Sequence, residues 1–230
     1  MGESGNFRLR EREKAALRVT RIFRGLPDAE YEAALERGLA RGARYYKGAT
    51  VTEAESRRSE FMVLLSGRVR GVREQEGGAL DFVQLFVPGE ILGLDIVCSA
   101  TRRCPFRLQA LDDAELVFIN YDALFSGKTS SACEQKLREG VAQALANESI
   151  RRLHKIDVLY RRALRDRVLV HLRNLCILSG SNRVETNMDR EQFAQYLGVN
   201  RSALSHELSK MRRDGLIDFK RGAFTVLKEL

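Results

Sequence analysis

Residues 189–213 read DREQFAQYLGVNRSALSHELSKMRR, and their spacing decides the architecture of the chain's last third. Asp189 stands where a short helix needs an oxygen to cap its first amides. Phe193 and Leu197 then fall on one face, and small Ala194 permits a close helix crossing. Gly198 supplies a tight turn, Val199 turns inward, and Asn200 caps a second helix. In that helix Leu204, Leu208 and Met211 form the inward stripe. The opposite face carries Arg201, Ser202, Ser205, His206 and Ser209, hydrogen-bonding groups without bulk, as a helix entering a DNA major groove requires. Gly215 to Phe219, Lys220-Arg221-Gly222 and Ala223 to Leu227 read as a hairpin with a basic tip. The segment is predicted to be a winged helix-turn-helix. Its expected DNA contacts are Arg190, Asn200, Arg201, Ser202, Ser205, His206, Ser209, Lys210, Lys220 and Arg221.

Charge supports a polyanion partner for this end of the chain. Residues 1–150 hold 22 Lys+Arg and 22 Asp+Glu, whereas residues 151–230 hold 17 and 9, so the whole net charge of +8 lies there. A neutral body with a basic terminus points to nucleic acid. Apolar residues make up 44% of the 230, enough for a packed core, and no apolar run approaches the ~20 residues of a membrane span. The polar start, Met1 to Lys14, is unlike a secretory signal, so a cytoplasmic protein without membrane association is expected.

Working back toward the N-terminus, the first 40 residues read as helix. Leu17, Ile22 and Phe23 form a face, Gly25-Leu26-Pro27 a break, and Asp28 the cap of a second helix carrying Tyr31, Leu35 and Leu39. Short strand-like runs follow at Tyr45-Tyr46, Phe61–Leu65, Val69–Val72, Leu80–Val87, Ile91–Leu94, Phe106–Leu111 and Glu115–Ile119, separated by Gly, Pro and Asp turns. That spacing predicts a small all-β roll. Residues 131–160 contain no proline and read as one long helix. Ala142, Leu145, Ser149, Arg152, Ile156 and Leu159 recur in steps of three and four, the seam of a helix that pairs with its own copy. The alternative for Arg152 is an outward side chain bridging Glu148 one turn away. A further helix from about Ala163 to Leu178 carries Leu164, Val168, Leu172 and Leu175 on one face, with His171 on its surface, and Val184 opens a short strand.

The chain resembles the CRP/FNR family of bacterial transcription regulators from about Leu17 to Leu227. The marks are Ile22-Phe23-Arg24-Gly25-Leu26, Leu65-Ser66-Gly67-Arg68-Val69, Pro88-Gly89-Glu90-Ile91-Leu92-Gly93, the long helix, and the helix-turn-helix with its wing. The resemblance implies an α+β chain in three parts. These are a β-roll (double-stranded β-helix, jelly-roll) sensor domain with N-terminal helices at 1–127, a dimerisation helix at 128–162, and a winged helix-turn-helix at 163–230. It further implies a homodimer on palindromic promoter DNA, contact with RNA polymerase if the protein activates, and an unidentified small-molecule effector between roll and long helix. Leu94, Asp95, Arg102, Arg103, Cys104, Glu148, Ser149 and Arg152 are the residues expected near that effector.

Departures from the family pattern narrow the effector. Where cyclic-nucleotide-binding members place a ribose-binding Glu after the glycine, Gly93 is followed by Leu94. The phosphate-clamping Arg-Ser pair falls near Cys104-Pro105, with Arg102 and Arg103 just before it. No cysteine precedes Cys98, against the four thiolates of an iron–sulfur cube. His154, His171 and His206 all lie outside the predicted roll, against haem. An anionic effector at Arg152, a redox switch at Cys98 or Cys104 and a cyclic nucleotide remain as alternatives, and no cofactor is assigned. At the reading helix the family's Arg-Glu-x-x-x-Arg becomes Arg201-Ser202 through His206, implying a different half-site. No G-x-S-x-G, P-loop or H-E-x-x-H motif points to an enzyme.

Overall fold

A computed structural model describes residues 5–126, 131–220 and 222–227. The unbroken apolar runs Phe61 to Leu64 and Leu116 to Ile119 are strands buried on both faces. Successive side chains of a strand point to opposite sides. Met62, Leu64, Leu116 and Phe118 thus enter the roll interior, while Phe61, Val63, Val117 and Ile119 face a layer of helices.

Nine strands build the roll. They are β1 (Gly5–Phe7), β2 (Arg41–Tyr45), β3 (Thr50–Thr52), β4 (Glu60–Ser66), β5 (Val69–Glu74), β6 (Leu80–Phe86), β7 (Ile91–Leu92), β8 (Arg107–Ala110) and β9 (Ala114–Asn120). They form antiparallel sheets of order β1-β2-β9-β4-β7 and β3-β8-β5-β6. Between them lie Val51, Val69, Phe86, Leu92, Phe106 and Leu108. A Cβ at Gly71 would stand 2.7 Å from the Phe106 ring, so glycine there is what lets Phe106 fill the space. The helical layer comprises α1 (Glu11–Arg18), α2 (Asp28–Arg37), α3 (Leu94–Cys98), α4 (Tyr121–Leu124) and the first turns of α5 (Ser131–Tyr160). Leu17, Phe23, Tyr31, Leu124, Leu137 and Val141 close its core.

The chain divides into two compact units, Met1–Asn147 and Glu148–Leu230, the division falling inside α5. In the second unit α6 (Leu164–Ser179), α7 (Arg190–Tyr196) and α8 (Arg201–Arg213) pack with a sheet of order β10-β12-β11, where β10 is Arg183–Glu185, β11 Ile217–Lys220 and β12 Ala223–Val226. Val168, Leu172, Phe193, Leu197, Leu204, Leu208, Met211 and Phe224 are buried here. The α+β class, the roll, the long helix and the winged helix-turn-helix are all present. No helix among the described residues is long and apolar enough to cross a membrane.

Several local expectations are corrected. The opening segment is not all helix: Gly5–Phe7 pairs with Arg44–Gly42 as an edge strand. Asp28 is the first residue of α2 rather than its cap, which is Pro27, and Leu39 lies beyond the helix, 65% exposed. The strand at Ile91 stops at Leu92, because Gly93 takes a left-handed conformation and Leu94 starts a helix. Along α5, Leu145 packs against the helical core of the first unit, whereas Ala142, Ser149, Arg152, Ile156 and Leu159 of the expected seam are exposed. The large apolar side chains that its second half leaves exposed are Ile150, Leu153, Ile156, Leu159 and Tyr160. Arg152 takes the alternative given above, its Nε donating to Glu148 Oε1 at 3.0 Å. His171 is buried, not on the surface.

Candidate nucleic-acid interface

Local chemistry positions the helix-turn-helix. The Asp189 carboxylate accepts from Gln192 N at 2.8 Å, and Gln192 Oε1 accepts from Asp189 N at 3.1 Å, a reciprocal cap on α7. At Gly198 the backbone turns with φ +70°, a left-handed value that favours glycine, and α8 starts three residues later. Asn200 Oδ1 accepts from Ala203 N at 2.8 Å and from Ser202 Oγ at 2.7 Å. Leu204, Leu208 and Met211 are fully buried, which leaves Arg201, Ser202, His206, Ser209 and Lys210 exposed along the outer face.

The polar residues divide by task. Asn200 and Ser202 build the cap, and Ser209 Oγ donates to the Ser205 carbonyl at 2.9 Å, one turn back. Arg201, His206 and Lys210 extend outward with the half-buried Ser205 beside them, and Lys220 lies exposed at the end of β11. Arg221 lies outside the described residues. Arg190 is laid across the wing, its guanidinium 5.0 Å from the Phe219 ring centre and 5.9 Å from that of Phe224. Burial first, then the nearby Arg201 charge, lowers the Arg190 pKa. Arg190 and Arg201 are the first residues of α7 and α8, and helix N-termini favour anions.

Sequence reading missed the groups that hold this frame. Arg165 of α6 pairs with Glu207 of α8 at 2.8 Å and with Asp214, just past the end of α8, at 2.7 Å. Arg167 donates to the Arg161 carbonyl and to the Leu197 carbonyl, both at 2.8 Å, and so joins the end of α5 to the turn before α8. Lys155 lies 4.3 Å above the Tyr196 ring, and burial lowers its pKa to about 8. His171 sits between Phe193 and Tyr196, and burial, then the Lys155 charge, lowers its pKa to about 4.

Residues 43–126 match the cyclic nucleotide-binding domain family, and residues 166–229 match the Crp-like helix-turn-helix domain family. The chain belongs to the CRP/FNR family of transcription regulators. This CRP/FNR regulator is 25% identical over 194 residues to the nitrogen fixation regulation protein FixK of Bradyrhizobium diazoefficiens, covering 82% of this chain and 79% of FixK. The solved structure of FixK2 from Bradyrhizobium japonicum has a TM-score of 0.65 at 15% identity, covering 82% of this chain and 93% of that one. The regulator CLP of Xanthomonas campestris gives 0.64 at 18% identity, covering 86% and 100%. At these identities the structural likeness speaks for the fold alone.

In the roll of this CRP/FNR regulator, the residues expected near an effector are largely committed to the fold. Leu94 is a core residue, 4% exposed, and Asp95 beside it is half-buried. Arg102 forks onto Asp122 at 2.5 and 2.9 Å, and Arg103 donates to the Glu55 carbonyl at 2.8 Å. Cys104 is fully buried and its thiol donates to the Phe106 carbonyl. Burial pushes the Cys104 and Cys98 thiols up, which runs against the redox alternative, because the thiolate is the reactive form. Arg58, missed in the sequence, places a buried Nε without a hydrogen-bond partner in this unit, close enough for its charge to act on Cys104 and Tyr45. In the second unit, Glu148 accepts from Arg151 and Arg152, and Ser149 is exposed.

Proposed function

We propose that this regulator binds an inverted-repeat operator as a homodimer paired along α5, with its affinity set by a small molecule held in the β-roll. The observation that carries the reading is α8: three side chains sealed into the unit on one side, donors with little bulk on the other. In this reading Arg201, Ser205, His206 and Lys210 meet base edges or phosphates, while Arg190 and Lys220 hold phosphates at the flanks. Asn200, Ser202 and Ser209 shape the helix that delivers them.

Dimerisation is supported by what α5 leaves uncovered. Leu153 is 57% exposed, Ile156 60% and Tyr160 86%, in heptad steps along one face. A second copy of the same helix covers such a face, and two-fold pairing sets two α8 helices for half-sites roughly 34 Å apart. The functional division follows: residues 1–127 sense, 128–162 pair and 163–230 read. Effector control is carried over from CLP, a c-di-GMP-responsive regulator with this fold. In this chain Asp95 and Arg58 would supply the polar contacts and Leu94 and Cys104 the wall. Leu94 stands where the ribose-binding Glu would be and Cys104-Pro105 near where the Arg-Ser clamp of a cyclic nucleotide would be.

Selection of duplexes from a random pool, followed by titration across salt, tests the reading. The expected product is an inverted repeat whose log affinity falls linearly with log salt. No salt-dependent affinity for any duplex would overturn it.

A further inference from the structure

We infer that Arg165 is a charge-masking residue for DNA binding: it neutralises the two carboxylates on one flank of α8 that would otherwise repel the phosphate ridge. Glu207 is the one acid within Arg201–Arg213, and Asp214 follows two turns later on the same flank. A helix about 10–12 Å wide nearly fills a major groove about 12 Å wide, so its flanks come close to phosphates. Both acids then lie within roughly 10 Å of the backbone, about one Debye length at ordinary salt. The fork from α6 meets both at once, at 2.8 and 2.7 Å, with Arg165 and Glu207 largely withdrawn from water at 29% and 20% side-chain exposure. On the wing side Arg212 meets Asp218 in the same way at 2.7 Å. Glu207, Asp214 and Asp218 are therefore each met by an arginine, and the exposed Arg201, Lys210 and Arg213 set the field that DNA meets.

The inference rests on the proposed reading of α8 as the groove helix, and its test separates the two. The probe is a random-sequence 40-base-pair duplex at low salt, and the full-length chain is the protein. If the wild type shows no salt-dependent binding, the reading of α8 fails. If it binds, the variants decide on Arg165. Arg165→Met keeps the apolar stem and should weaken binding about fivefold, with the loss shrinking as salt screens the exposed acids. Adding Glu207→Gln and Asp214→Asn should return affinity to within about twofold of wild type, because the repulsion is gone although the tether is not rebuilt. A tether alone predicts the opposite, a triple variant as weak as Arg165→Met, and that result would overturn the inference. So would wild-type affinity in Arg165→Met. Should Arg165→Met not fold, Glu207→Gln with Asp214→Asn in the presence of Arg165 settles the matter. Masking predicts tighter binding from a released arginine, whereas weaker binding overturns it.

Discussion

The two units use arginine in opposite ways. In the roll Arg41, Arg102, Arg103 and Arg107 each reach a carboxylate or carbonyl of the same unit, and their charge is spent on the fold. In the second unit Arg165, Arg167 and Arg212 do the same, but around them Arg201, Lys210, Arg213 and Lys220 stay exposed. The counts set a neutral front and a basic end, 22 bases against 22 acids and then 17 against 9, and the contrast shows how each unit places them. Internal pairing leaves the roll with little field of its own, while the reading head pairs only the charges that hold its shape.

The largest effect expected from breaking this arrangement is at the proposed dimer seam. Leu153→Glu with Ile156→Glu places like charges on the apolar face of α5. The chain should sediment as a monomer, and affinity for its selected inverted repeat should fall about 100-fold or more, since two linked half-site contacts become one. A dimer that persists would move the interface elsewhere. Next in size, Arg201→Ala removes an exposed donor at the first turn of α8. It should cost about 1–3 kcal/mol of binding, the range of a good base contact, with base preference relaxed at one position of each half-site. A uniform loss across sequences, with a shallower salt slope, would reassign Arg201 to phosphate.

Much of the reading head was legible in sequence because its signals are local. Asp189, Gly198 and Asn200 act within three or four residues of themselves, and so do Leu204, Leu208 and Met211. The roll was legible as strands wherever the apolar run was long. β1 and β3 were invisible, since three residues owe their conformation to a distant partner strand. Leu145 of the expected α5 seam departs for a related reason: hydrophobicity marks it as apolar but cannot say that it faces the chain's own N-terminal helices. Arg165 and Glu207 lie 42 residues apart, and Arg102 and Asp122 lie 20 apart, so no spacing rule joins them.

A third test concerns His171, which sharpens how tightly the reading head is sealed. Its folded pKa, about 4, lies below the ordinary 6.5 because the ring is buried, its Nε2 finds no partner, and Lys155 is near. Folding therefore selects the neutral ring. Stability is whole above pH 6.5 and drains away as the pH falls toward 4, because the unfolded chain takes a proton that the native one refuses. Between pH 7 and 5 this amounts to roughly 2 kcal/mol. Urea unfolding followed by circular dichroism should show that difference in the wild type and lose most of it in His171→Phe. Equal pH dependence in the two proteins would mean water reaches the ring.

The smallest effect is expected in the roll, at Arg102. Its fork holds the Asp122 carboxyl below the usual carboxylate range, first through the hydrogen bonds and then through charge. If the arginine serves the fold, Arg102→Gln should let Asp122 titrate higher in a carboxyl-resolved NMR titration. It should also leave affinity for the selected repeat within about twofold, because an exposed pair contributes little. Acid stability should narrow slightly from the same cause, since a depressed carboxyl stabilises the native state above its unfolded pKa and that gain is lost as the pH drops. An Asp122 titration that does not move, together with altered DNA affinity, would show that Arg102 is released from Asp122 in solution. The roll would then hold a further spare cation beside Arg58, and the opposition between a self-paired sensor and an outward-facing reader would fail at its most exposed point.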